Sequence, residues 1–66
     1  MVVYVNAEPH ALDKPKTIAE LLDQLQIQPE RIAVAINRQV VPRSEYARQM
    51  VHSDDQIDIV QAVGGG

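Results

Sequence analysis

The stretch Thr17-Ile18-Ala19-Glu20 has the form of a capping box: the Thr17 hydroxyl can accept from the Glu20 N–H, and the Glu20 carboxylate can reach back to the Thr17 N–H. Behind it Ile18, Leu21, Leu22 and Leu25 recur at helical spacing and form one apolar stripe, with Glu20, Asp23 and Gln24 facing outward. Pro29 keeps Gln28 out of the helical region, so the helix is predicted to end near Gln26 or Ile27. The other apolar segments read as strands. A lone helix stripe has to be covered, and a sheet face is what remains to cover it. The chain is therefore expected to be a two-layer α+β domain.

Val2-Val3-Tyr4-Val5 is β-branched and aromatic and reads as a strand. Asn6-Ala7-Glu8-Pro9 is turn chemistry, and a weaker strand through His10-Ala11-Leu12 closes a hairpin that Asp13-Lys14-Pro15-Lys16 breaks. In the strand Ile32–Ile36, Ile32, Val34 and Ile36 share one face while Ala33 and Ala35 share the other. Asn37-Arg38 turns the chain into a short strand at Gln39-Val40-Val41, and Pro42 to Ala47 reads as one or two helical turns. After the loop Ser53-Asp54-Asp55, the last strand runs from Gln56 to Val63 with Ile57 and Ile59 on one face and Asp58, Val60 and Ala62 on the other. The helix stripe is expected to pack on Val3, Val5, Ile32, Val34, Ile36, Ile57 and Ile59.

At 66 residues the chain is one domain, and its stability margin is thin because so small a domain buries only about 60% of its unfolded surface. It contains no cysteine, which excludes a disulfide framework, a cysteine-ligated zinc site and a cysteine nucleophile. Six Lys and Arg stand against nine Asp and Glu with no basic cluster, so neither nucleic acid nor an anionic membrane surface is an expected partner. A basic protein surface would attract it. Neither a membrane-spanning run nor a signal peptide is expected, and the cytoplasm is the expected location. Tyr4 and Tyr46 are the only aromatic residues, so the core is expected to consist of Val, Ile, Leu and Ala. His10 and His52 have no ligand partner at metal-site spacing, and Asp54-Asp55 reads as a solvated turn.

All three glycines are the last three residues, Gly64-Gly65-Gly66. Glycine has no Cβ, so such a tail can enter a narrow channel and take dihedrals closed to other residues. Three residues reach about 10–11 Å, which is enough to carry one carboxyl group into a partner's pocket while the folded body docks outside. No phosphate-binding loop accompanies the tail, since no other position is glycine. The side chains of Tyr4, Ala33, Ala35, Val60 and Ala62 all fall on the sheet face away from the helix and form a candidate partner-binding surface.

This strand order, with Gly-Gly beyond the final strand, resembles the β-grasp or ubiquitin-like fold. More narrowly, Val34-Ala35-Ile36-Asn37, Val40-Val41-Pro42-Arg43 with Tyr46, Asp54-Asp55-Gln56-Ile57 and Val63-Gly64-Gly65-Gly66 resemble the ThiS sulfur carriers of thiamine thiazole synthesis. Asp54 stands where that family usually has Gly, and Gly64 where some members have Ala. The resemblance implies a β-grasp domain over residues 1–63, with a mixed sheet of four to five strands and one main helix on one face, and a flexible tail over 64–66. It implies a protein co-substrate, not an enzyme. The Gly66 carboxylate would be adenylated by an E1-like enzyme, ThiF, converted to a thiocarboxylate with sulfur from a cysteine-desulfurase persulfide, and used by the thiazole synthase ThiG. Gly64 and Gly65 would present it. No cofactor is implied for this chain, and ATP is used by the activating partner. Alternatives are a MoaD-like carrier, a carrier for another pathway, and a ubiquitin-like interaction or conjugation module. Arg43 and Tyr46 follow the family pattern as structural or partner-facing residues.

Overall fold

The computed structural model describes residues 1–61. The elements in chain order are β1 (Val2–Val5), β2 (Glu8–Ala11), β3 (Lys16–Thr17), α1 (Ile18–Gln24), a 3-10 turn (Pro29–Arg31), β4 (Ile32–Ile36), β5 (Gln39–Val41), a second 3-10 turn (Arg43–Glu45), β6 (Met50–Val51) and β7 (Gln56–Gln61). The main sheet has five strands in the order β2-β1-β7-β4-β5, and β3 and β6 form a separate two-stranded pair. β1 and β7 run parallel at its centre, while β1–β2, β4–β5 and β4–β7 are antiparallel. The sheet is therefore mixed, with α1 over one face, which is the expected α+β architecture.

The helix stripe is buried as its spacing requires: Ile18, Leu21 and Leu22 are enclosed and Leu25 is half-buried against them. Val3, Val5, Ile32, Val34, Ile36 and Ile57 meet them from the sheet. Tyr46 is also in the core, at 5% exposure. An all-aliphatic core was the wrong expectation, because the turn after β5 folds the ring inward. Val51 in β6 is fully buried as well. Its two-residue strand is too short to show a period in the sequence.

The start of α1 is tightly accounted for. Glu20 N–H donates to Thr17 Oγ1 at 3.2 Å, and Thr17 N–H donates to Glu20 Oε1 at 2.9 Å, completing the capping box. Ile18 N–H and Ala19 N–H donate to the carbonyls of Gln49 and Tyr46, so the first turn leaves no free donor among these three residues. The Thr17 hydrogen bonds, backbone first, hold the Glu20 carboxyl below the usual carboxylate range.

The helix stops earlier than the Pro29 argument placed it. Gln26 turns left-handed at φ 60, its N–H donates to Asp23 O, and Ile27 N–H donates to Leu22 O. This pair of bonds is a Schellman ending with glutamine in the position that glycine normally takes. The same economy recurs elsewhere. Asn6 and Ala7 have φ of 51 and 70, and Asn37 and Arg38 have φ of 50 and 72. Both pairs are two-residue hairpin loops of the type that needs positive φ at each centre. With glycine absent before residue 64, these positions fall to Asn, Ala, Gln and Arg.

The first of these turns is shorter than its composition suggested. Glu8 and Pro9 belong to β2, with Pro9 opposite Tyr4. Pro9 fits there because β2 is an edge strand, where a residue without an N–H can face solvent.

Candidate docking face of the sheet

Strand alternation sorts side chains to two faces. Ile57 and Ile59 of β7 turn toward α1, so Gln56, Asp58 and Val60 turn away. On β4, Ala33 and Ala35 turn away from the core residues Ile32, Val34 and Ile36. Val60 lies directly across from Ala33, and Ala35 sits between Asp58 on β7 and Val40 on β5. The result is a shallow patch of small apolar groups on three adjacent strands. Val60 is 61% exposed and Val40 77% exposed, although both are aliphatic. They are the two most exposed large hydrophobic side chains among the described residues.

The structure places Ala33, Ala35 and Val60 together. Tyr4 shares their face but stands at the other end of β7, beside Gln56. Gln56 and Val60 are four positions apart, about 13 Å along a strand. Asp58 lies between them and puts a carboxylate in the path. Ala62, Gly64, Gly65 and Gly66 lie outside the described residues.

Val40 is absent from the partner-binding surface that sequence alone singled out. The signal was present in the alternation of Gln39-Val40-Val41: Val41 is buried, so its neighbour must face outward. Asn6 was read only as turn chemistry, yet its side chain reaches β7. Ile59 N–H donates to Asn6 Oδ1 at 2.8 Å, and Asn6 Nδ2 donates to Ile59 O at 3.2 Å. Nothing in the sequence pairs residues so distant.

The remaining polar residues of note have internal work. Asp55 accepts from His52 N–H at 2.8 Å and from Asn37 Nδ2 at 3.1 Å, which shapes the loop before β7. Arg43 donates to the Glu30 carbonyl at 3.3 Å. On the helical side a groove of about 330 Å³ lies among Leu22, Ile27, Pro29, Tyr46 and Ala47. Among the described residues no group of three His, Cys, Asp or Glu side chains is placed to hold a metal, and no helix is long and apolar enough to cross a membrane.

Comparison with known proteins agrees on one family. The model of the ThiS family matches residues 3–66. The sulfur carrier protein ThiS of Escherichia coli is 43% identical over 51 residues, which cover 77% of each chain. A thiazole synthase of Magnetococcus marinus is 39% identical over 66 residues, all of this chain and 20% of that protein. This chain thus spans about a fifth of the length of that synthase. The crystal structure of the thiamine biosynthesis protein ThiS from Geobacter metallireducens superposes with a TM-score of 0.89 at 29% identity, covering all of both chains.

Proposed function

The chain belongs to the ThiS family, and from that premise we propose that it is a sulfur carrier of thiamine biosynthesis that holds its sulfur on the Gly66 carboxylate. The observation that carries this reading is the extent of the family match, which runs through Gly66 and takes in the whole glycine run.

A free carboxylate neither accepts a nucleophile nor donates sulfur. An E1-like enzyme supplies the activation: a Gly66 carboxylate oxygen attacks the α-phosphorus of ATP, giving an acyl-adenylate and pyrophosphate. The terminal sulfur of a persulfide on a cysteine desulfurase or its relay then displaces AMP and forms an acyl disulfide. A second thiol cleaves the S–S bond, leaving a thiocarboxylate on Gly66 and a disulfide on the thiol partners. Every thiol in this sequence comes from a partner, because the chain has no cysteine. The thiocarboxylate sulfur is a better nucleophile than oxygen and passes to a thiazole synthase.

The chain itself contributes binding and presentation. The patch of Val60, Ala33, Ala35 and Val40 gives the activating enzyme a surface to dock on. Asp58 at its edge suits a basic group on that enzyme. Ordering a glycine run costs conformational entropy, so the docked body has to supply the binding energy.

The test is an intact mass. With ATP, the activating enzyme and a persulfide donor, the chain gains about 16 Da, the exchange of one oxygen for sulfur at its terminus. A single alanine added after Gly66 abolishes that gain. An unchanged mass overturns the reading, and an adduct on a target lysine replaces it with conjugation.

A further inference from the structure

β7 is held on its two sides by different means. On one side β4 pairs with it from Ile57 through Gln61. On the other, the register with β1 ends at Val5 opposite Ile57. Asn6 continues the ladder by one backbone bond, donating its N–H to Ile57 O at 2.8 Å. The main chain then leaves the sheet, because Asn6 and Ala7 are left-handed and turn into β2. In a parallel ladder the next partners on β7 would be the N–H and C=O of Ile59. The Asn6 side-chain amide takes both, at 2.8 and 3.2 Å. An amide side chain has one acceptor and a donor in the arrangement of a peptide group, so it substitutes for the strand that has turned away.

We infer that Asn6 is a positioning residue: its amide clasps Ile59 and fixes the last described part of β7, so that Val60 is held in a defined place on the proposed docking face. This rests on the carrier reading. Without the clasp, Ile59 keeps neither bond on the β1 side, and the end of β7 is held by β4 alone. The end of β7, still paired with β4, then moves more freely on its β1 side, and docking has to restrict that motion. That cost is charged to binding and not to the chemical step.

Asn6→Gly isolates the clasp. Glycine occupies φ 51 without a Cβ clash, so the turn is kept while both side-chain bonds are lost. Asn6→Asp keeps an acceptor for Ile59 N–H in a residue that also tolerates this region. Exchange of the Ile59 amide with solvent deuterium is expected to speed up about three- to tenfold in Asn6→Gly, the loss of one ordinary hydrogen bond, with the chain still folded and its melting temperature lowered by a few degrees. In ATP–pyrophosphate exchange with the activating enzyme, KM for the Asn6→Gly chain is expected to rise about fivefold with kcat little changed. Asn6→Asp restores the bond from Ile59 N–H but has no donor for the Ile59 carbonyl, so it is expected to recover part of both losses. Faster Ile59 exchange with an unchanged KM overturns the positioning role, and unchanged Ile59 exchange overturns the clasp. A wild-type chain that supports no pyrophosphate exchange overturns the carrier reading instead, and the Ile59 amide, which needs no partner, tells the two failures apart.

Discussion

Asn37 and Asp55 meet side chain to side chain, with the amide Nδ2 donating to Oδ1 at 3.1 Å. The same asparagine accepts from Gln56 N–H at 3.0 Å and donates its own N–H to Gln56 O at 2.7 Å. The β4–β5 turn is thereby tied to the start of β7, as the β1–β2 turn is tied to its later part. Two hairpin turns, each opening on asparagine, grip the central strand that leads toward the glycine run.

Removing the Asp55 carboxylate tests the first grip. Asp55→Ala leaves Asn37 Nδ2 and His52 N–H without their partner. Both sites are near solvent, so water repairs part of the loss. Thermal unfolding is expected to show a loss of about 1–3 kcal/mol, a fall of about 4–8 °C per kcal/mol in a domain this size.

The left-handed positions make an opposite prediction. Arg38 at φ 72 and Ala7 at φ 70 each carry a Cβ where glycine would carry none. Relief of that crowding is worth about 1–2 kcal/mol per residue, offset by about 0.4–1 kcal/mol because glycine enlarges the unfolded ensemble. Arg38→Gly and Ala7→Gly should each raise the urea midpoint modestly at unchanged m-value. A lower midpoint in either would show that the native turn gains more from the side chain than it loses in strain.

The parts of the fold carried by period and chemistry were legible in the sequence. The stripe from Ile18 to Leu25, the capping box and the alternation in β4 set which faces meet, and the two layers follow. What stayed hidden was carried by contacts between distant segments. The helix end was decided by Gln26 accepting a left-handed conformation, which no propensity assigns to glutamine. The β3–β6 pair spans four residues in all and has no periodic signal. At the candidate docking face, the outward direction of Val60, Ala33 and Ala35 could be read from alternation. The distance of Tyr4 from them required the parallel register of β1 on β7.

The capping box supplies a pH prediction. Hydrogen bonds from Thr17 lower the Glu20 pKa in the folded chain. A depressed folded pKa means that the unfolded chain binds the proton more readily. The contribution to stability is therefore complete above the unfolded value of about 4.3, and it is lost as pH falls through the lowered folded value. Glutamine can serve at the same position of a capping box but does not titrate there. Stability of wild type and Glu20→Gln should therefore differ most near neutral pH, and the difference should close as the solution is acidified below pH about 4. The Asp13 carboxyl is lowered in the same sense by the charge of Lys16, so Glu20→Gln removes only part of the acid sensitivity.

The proposed docking face gives the prediction closest to function. Val60 is 61% exposed and rests across from Ala33, so the folded domain tolerates Val60→Asp. Aspartate is a poorer strand residue than valine and would share its face with Asp58, so a cost of about 1 kcal/mol is expected with the domain still folded. Docking is different, because the new carboxylate would be pressed against whatever covers Val60. Burying it without a partner there costs at least about 1–3 kcal/mol, and kcat/KM for adenylation should fall roughly tenfold or more. Val40→Asp is expected to behave alike, since Val40 adjoins Ala35 on the same face. Gln28→Glu adds the same negative charge at an exposed site outside the five strands, and it should leave the rate at the wild-type value. If all three variants slow the reaction equally, net charge is responsible. If Val60→Asp and Val40→Asp run at the wild-type rate with the fold intact, the activating enzyme docks elsewhere on this domain.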